Sequence, residues 1–268
     1  MMVLSHARAH AGRKASTVAP FIGHGKADNE SNGWPDDVYG PTPEPWSENM
    51  FTPHELSKDQ IKGLVAAFVA AARRSLYAGV DYINLHAAHG YLLHEFYSPA
   101  SNHRTDEYGG SFENRVRFPM EVIHALRRVM PEEMPLVVRI SASDWIGDRG
   151  WGIEDSVELV KLFAKAGVDL VEASSGGNDH NQNIALGPGY QVHFAAQLKK
   201  SVPEMKIATV GIITNAKQSK KILDDGQADA IMMAREFLRN ANAVLDFAKE
   251  LDVKVRWPQQ YNRAQLHK

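Results

Sequence analysis

The segment NLHAAHGYLLHEFYSPASNHRTDEYGGSFENR, residues 84–115, holds the densest set of side chains able to do chemistry. His86 and His89 stand three apart just past an apolar run, so two imidazoles can aim donors at one oxygen, and Tyr91 adds a phenolic proton two residues on. Such a trio suits activation of a carbonyl coupled to protonation. Two other readings stand beside it. With His94 the pair forms a histidine cluster of the kind that holds zinc, but HEFYS at 94–98 lacks the second histidine of HExxH and no further ligand set follows, so no metal is expected. Alternatively, the histidines merely cap the end of a strand.

Elements able to position these residues alternate along the chain. Short apolar runs at 80–86, 135–141, 168–175, 206–211 and 228–234, with a weaker one at 3–11, predict buried strands of a parallel sheet, without two-period polarity. Between them, Ser57 and Gln60 form a capping box, with Ile61, Leu64, Val65, Phe68 and Leu76 on one helical face and Gly79 as the stop. Further helices are predicted at 112–130, ending at Pro131, at 154–166, ending at Gly167, and at 215–225, ending at Gly226. Residues 24–50, with four prolines, three glycines and no sustained period, predict a long loop, which Trp34 and Trp46 suggest is ordered.

Repeated strand-helix units allow an open doubly wound sheet or a closed (β/α)8 barrel. The strings Gly187-Pro188-Gly189 and Gly150-Trp151-Gly152 lack the third glycine of a dinucleotide turn and do not follow the first strand. Instead, His86 and His89, Arg139, Ser174 to Gly177, Gly211 and Arg235 fall at the C-terminal ends of different strands, as a barrel mouth requires. Five good strands and one weaker strand are two short of the eight that close such a barrel.

Composition narrows the partners. Thirty basic against 32 acidic residues leave a net charge of -2, giving no overall positive field for nucleic acid or an acidic membrane surface. With no cysteine there is neither a disulfide framework nor a thiolate site. The most apolar stretch, IKGLVAAFVAAARRSLYAGV, carries Lys62, Arg73 and Arg74 and reads as a packed helix, not a membrane span. The opening MMVLSHARAHAGRKAS lacks the order of a secretory signal, and Gly12 breaks any amphipathic transit helix, so the expected location is cytoplasmic.

HAAHGYLLHEFYSPASNHRTDEYGGSFENRVRF very closely resembles the segment that marks the Old Yellow Enzyme family of flavin-dependent ene-reductases. The resemblance continues in order through HAGRKAS (10–16), VRISASDW (138–145), SSGG (174–177), PGYQV (188–192), TVGIIT (209–214), AREFLRN (234–240) and PQQYNRA (258–264). HAAH and the QY-x-R tail are similar to the xenobiotic-reductase branch.

The resemblance implies a single TIM (β/α)8-barrel domain over residues 1–268 that binds FMN noncovalently at its mouth. It implies hydride taken from NADPH or NADH, the choice being open, and passed to the β-carbon of an activated C=C bond in an enone or nitroalkene. His86 and His89 match the pair that hydrogen-bonds the substrate oxygen, and Tyr91 the donor of a proton to the α-carbon. Arg139 matches the cation beside the flavin N1 and O2 edge. Gly211 and Arg235, with Ala234 in place of a glycine, match the phosphate-binding residues. Arg263 matches a C-terminal arginine that reaches a neighbouring subunit's active site, which implies a homo-oligomer acting on a small-molecule substrate.

Two further departures accompany these matches. Ala7 stands where the family has a flavin-binding glutamine, and the family carries additional residues ahead of HAGR. The expected barrel is therefore incomplete, N-terminally truncated and without the first two strand-helix units. The alternative function is a non-catalytic fragment with weak or no flavin binding. A phosphate-binding isomerase or aldolase using Asp144 or Glu172 as base is a more distant third.

Overall fold

The computed structural model describes residues 5–19, 21–23 and 25–264. Strand β1 (Ser5–Arg8) is the core of the run expected at 3–11, whose first two residues lie outside the described ones. It enters a 3-10 turn, Gly12–Lys14, and then the long connection. That connection is ordered by its own bonds: the backbone N–H of Ala27 and of Trp34 donate to the Ser16 carbonyl and hydroxyl, at 2.8 and 2.7 Å. It carries the two-residue strand β2 (Tyr39–Gly40), paired in parallel with β3 (His54–Glu55). The loop expected at 24–50 thus contains a small pairing, and its first residue lies outside the described ones.

Helix α1 (Lys58–Tyr77) begins at the predicted capping box, in which Gln60 N–H donates to Ser57 Oγ and Ser57 N–H donates to Gln60 Oε1. Such a pair satisfies two of the backbone donors that a helix start leaves open. Then follow β4 (Tyr82–Ala87), α2 (Leu92–Tyr97), α3 (Phe112–Arg115) and α4 (Arg117–Arg127). The helix expected at 112–130 is therefore divided at Val116, the residue that caps α3 and starts α4. Pro119 sits in the first turn of α4, where its missing N–H has no intrahelical acceptor to lose.

The remaining units are β5 (Leu136–Ser141), α5 (Ile153–Lys165), β6 (Leu170–Ser174), α6 (Val192–Ser201), β7 (Lys206–Thr209), α7 (Ala216–Asp224), β8 (Ala230–Ile231), α8 (Arg235–Arg239) and α9 (Ala243–Glu250). Helices α2, α6, α8 and α9 are absent from the sequence expectation, and β8 is far shorter than the run expected at 228–234. Beyond Ile231 the chain turns almost at once into α8, which Ala234 caps.

The main sheet is wholly parallel, in the order β1-β4-β5-β6-β7-β8. Six strands of a (β/α)8 barrel are thus in place, and among the described residues β1 and β8 pair on one side only. Rows such as Leu85-Val138-Val171-Ile207 lie in register, fully buried, beneath the helices. The intervening row His86-Arg139-Glu172-Ala208 faces the barrel interior. Burial in β4 consequently alternates with period two, contrary to the expectation, because the inner-face side chains stay partly accessible while the outer face meets helices. No helix among the described residues is long and apolar enough to cross a membrane.

Candidate active site

His86 sits on the inner face of β4, and His89 and Tyr91 lie on the turn that follows. The His86 ring centroid is 5.1 Å from that of His89 and 5.4 Å from that of Tyr91, so the three predicted groups share one place. The turn is tightly determined. His89 has φ +60, Gly90 has φ +67, and a Cβ on Gly90 would lie 2.1 Å from the Gly177 carbonyl oxygen, so only glycine allows this approach to the loop after β6.

Each histidine has a distinct setting. His89 Nε2 lies 2.7 Å from Ser174 Oγ, and its backbone N–H donates to Ser141 Oγ at 2.9 Å. Ser175 donates to Gln191 Oε1 at 2.5 Å, Ser174 Oγ lies 3.4 Å from the same oxygen, and Gln191 Nε2 donates to the Val210 carbonyl. His86 Nε2 is buried without a protein partner. An unmet polar atom of this kind costs about 1–3 kcal/mol unless something else supplies the bond. Burial first, and the Arg139 charge second, push the His86 imidazole down to about 4 and that of His89 to about 2. Both rings are neutral at neutral pH, each with one N–H to give.

Arg139 stands beside His86 in the sheet register and beside Glu172 on the next strand, 3.8 Å from Glu172 Oε2. Its Nε is buried and unpartnered. Glu172 also accepts from Asn84 Nδ2 at 2.8 Å; burial raises its pKa, and Arg139 and Asn84 oppose the rise. Arg139 is therefore an interior cation with unused donors, not a surface ion pair.

Gly211 lies against the segment that follows β6. A Cβ on Gly211 would meet Gln191 Nε2 at 2.9 Å and the Tyr190 ring at 3.0 Å. Burial pushes the Tyr190 phenol up, and the charges of Arg235 and Arg139 pull it back. Ala234 and Arg235 are exposed at the start of α8. Arg263 is exposed in the turn Gln259–Ala264 and takes no part in this network among the described residues. Ala7 lies in β1 opposite Asn84.

His94 does not join the pair. It is fully buried, accepts from Gly90 N–H at Nδ1, and lies with Nε2 2.9 Å from Asp144 Oδ1. Asp144 also accepts from Ser98 and from Trp151 N–H; burial raises its pKa, but His94 and these bonds outweigh that, leaving it below the usual carboxylate range. Asp144 is thus a buried structural carboxylate, and the aldolase reading loses it as a base. Among the described residues no group of three or more metal-ligating side chains is placed to hold an ion.

Sequence reasoning missed Lys14, Trp46, Tyr190 and Gln191. All but Trp46 lie inside the motifs HAGRKAS and PGYQV, so motif membership was the available signal, but the contacts that give them meaning join residues far apart in the chain.

The donor set suits a flat, polar, anionic cofactor: an interior guanidinium with a free Nε, a second guanidinium whose charge acts on Tyr190 beside Gly211, and two neutral imidazoles. The profile of the NADH:flavin oxidoreductase / NADH oxidase family matches residues 10–253. An NADH:flavin oxidoreductase of Gibberella zeae is 42% identical over 265 residues, covering 94% of this chain and 64% of the relative. An NADPH dehydrogenase of Bacillus velezensis is 44% identical, covering 96% and 69%. The chain thus spans about two thirds of the length of these relatives. Among solved structures, a 2-naphthoyl-CoA reductase complex matches with TM-score 0.75 at 26% identity, covering 91% of this chain and 37% of that one. Morphinone reductase, at TM-score 0.70 and 24% identity over 93% of this chain and 66% of that one, shares the barrel fold. The chain belongs to the NADH:flavin oxidoreductase / NADH oxidase family.

Proposed function

We propose that the protein is an FMN-dependent oxidoreductase that moves hydride from NADPH or NADH to the activated C=C bond of an enone or nitroalkene. The observation that carries this reading is the orphaned His86 Nε2 beside His89, two neutral imidazoles of which His86 stands in sheet register with the interior cation Arg139. FMN, when bound, supplies a two-electron carrier that accepts hydride from the nicotinamide and delivers it to carbon.

The chain's own residues do the rest. Arg139 would supply positive charge to the ring system, and Gly211, Ala234 and Arg235 would hold the phosphate. His86 and His89 donate to the substrate's carbonyl or nitro oxygen, meeting the negative charge that grows there as the β-carbon is attacked. Tyr91 gives its phenolic proton to the α-carbon. The connection carrying Trp46 is tied to the loop after β6 by the bond from its indole N–H to the Gly177 carbonyl at 3.0 Å. Arg263, exposed, serves the site of a second copy.

The test is direct. Protein purified in the presence of FMN is expected to be yellow, to bleach with NADPH without oxygen, and to recover colour with cyclohexenone. A colourless preparation that binds no added FMN overturns the reading. It would favour a non-catalytic fragment, for which the one-sided pairing of β1 and β8 among the described residues speaks.

A further inference from the structure

Lys14 ends the turn Gly12–Lys14. Its ammonium donates to the carbonyl oxygens of His89 and Gly177, both at 2.9 Å. It also lies over the Trp46 indole, 4.9 Å from the centroid, and over the Tyr91 ring at 5.2 Å. The Gly177 carbonyl accepts from the Trp46 indole N–H as well. One cation therefore joins four segments: the turn after β1, the long connection, the turn bearing His89 and Tyr91, and the loop after β6. His89 occupies a left-handed conformation that a non-glycine residue keeps only when its surroundings impose it. The bond to its carbonyl from Lys14 and the bond from its N–H to Ser141 are such constraints.

We propose that Lys14 is a positioning residue of this site, its ammonium holding the His89–Tyr91 turn and the Trp46 indole together so that His89 and Tyr91 stay beside His86. Its effect on turnover rests on the reductase reading above; its effect on Trp46 does not. The charged and titratable groups around the ammonium are Glu95 of α2, Arg13 of the same turn, His86 of β4, and His89 and Tyr91 beyond it. Burial brings the ammonium down to about 8, Glu95 opposing and Arg13 adding to the fall. Glu95, wholly buried, is itself pushed up to about 8 by burial, so two groups titrate together and the test must separate them. Loss of the Lys14 proton weakens both carbonyl bonds and removes the attraction to the rings, so the site loosens as pH rises through about 8.

The experiment follows tryptophan fluorescence of the full chain across the pH range around that midpoint, together with the pH profile of enone reduction, in the wild type, Lys14→Met, Lys14→Arg, Glu95→Gln and Trp46→Phe. A reversible fluorescence change near pH 8 is expected in the wild type, absent from Lys14→Met and Trp46→Phe. Glu95→Gln keeps it at a lower midpoint, because the carboxylate that favours the ammonium is gone. Lys14→Arg is flat, since a guanidinium stays charged throughout. In turnover, Lys14→Met lowers kcat by about tenfold to a hundredfold with little change in KM, and Lys14→Arg recovers part of it without the alkaline fall. The proposal is overturned by an unchanged titration in Lys14→Met, by its loss in Glu95→Gln alone, or by wild-type kcat and pH profile in Lys14→Met. Should Lys14→Met fail to fold, Lys14→Arg and Glu95→Gln decide by the same readouts. A chain that reduces no enone yet shows the Lys14-dependent titration supports the positioning role and counts against the reductase reading alone.

Discussion

The Nε2 of His89 rests 2.7 Å from the hydroxyl of Ser174, which joins the first residue of the turn after β4 to the last residue of β6. In the tautomer carrying its proton on Nδ1, the single Ser174 hydroxyl proton goes to Nε2 and not to the more distant Gln191 Oε1, 3.4 Å away, and the remaining N–H is free for a substrate oxygen. Replacing Ser174 by Ala removes this anchor and leaves the ring free to rotate. The expected outcome is a rise in substrate KM of about fivefold to tenfold, the worth of one neutral hydrogen bond. Steady-state kinetics with cyclohexenone decide it, and an unchanged KM would show that Ser174 does not orient His89.

Folded-state His89 and His86 titrate at about 2 and about 4, against an ordinary 6.5, chiefly because burial disfavours the charged ring. As pH falls through about 6.5, the unfolded chain takes up protons that the folded chain refuses, so stability drops there and is unaffected well above it. Glu95 acts oppositely, holding a proton when folded, but does so in wild type and variant alike. In His89→Asn the fall in Tm from about pH 7 to about pH 5 is therefore expected to be smaller than in the wild type. Parallel curves of Tm against pH would count against the buried, neutral state of His89.

Arg139 carries a charge and an unpartnered buried Nε on the inner face of β5. Arg139→Met is expected to weaken FMN binding by about tenfold to a hundredfold, with Arg139→Lys in between, because a charged donor is lost in one and a forked geometry in the other. Titration of the protein with FMN, followed by flavin absorbance, measures both. Equal affinity in all three forms would remove Arg139 from the cofactor site.

Gly177 has φ +91, and a Cβ placed there lies 2.6 Å from the His89 backbone. Gly177→Ala is strained by conformation and by collision, and relief requires the two loops to part. A loss of at least about 2 kcal/mol in urea unfolding is expected, together with reduced activity in whatever protein remains folded. A variant as stable and as active as the wild type would mean that the close approach of these loops is not maintained in solution.

Legibility in the sequence followed the range of the forces involved. Ser57, Gln60 and Gly79 marked α1 because caps and left-handed stops are local interactions. The strands at β4, β5, β6 and β7 showed as apolar runs because their outer faces meet helices. Helix α6 was missed between Gly189 and Pro203, where its stripe of Val192, Ala195 and Leu198 is short and its start has no side-chain cap. The split at Val116 was hidden because Phe112 to Arg127 keeps one apolar period through the break.

The sequence by itself determined the identities and spacing of His86, His89 and Tyr91, the strand-helix alternation, and the ordered motifs that mark the family. Spacing within one turn is a local property, and an imidazole pair three residues apart is visible without coordinates. The tertiary structure decided that His86 has no protein partner while His89 has Ser174, and that Arg139 faces inward beside Glu172. It also decided that Asp144 is occupied by His94 and that Lys14 reaches four segments at once. Each of these depends on strands distant in the chain being brought into register, and burial and charge act through space, not along the sequence.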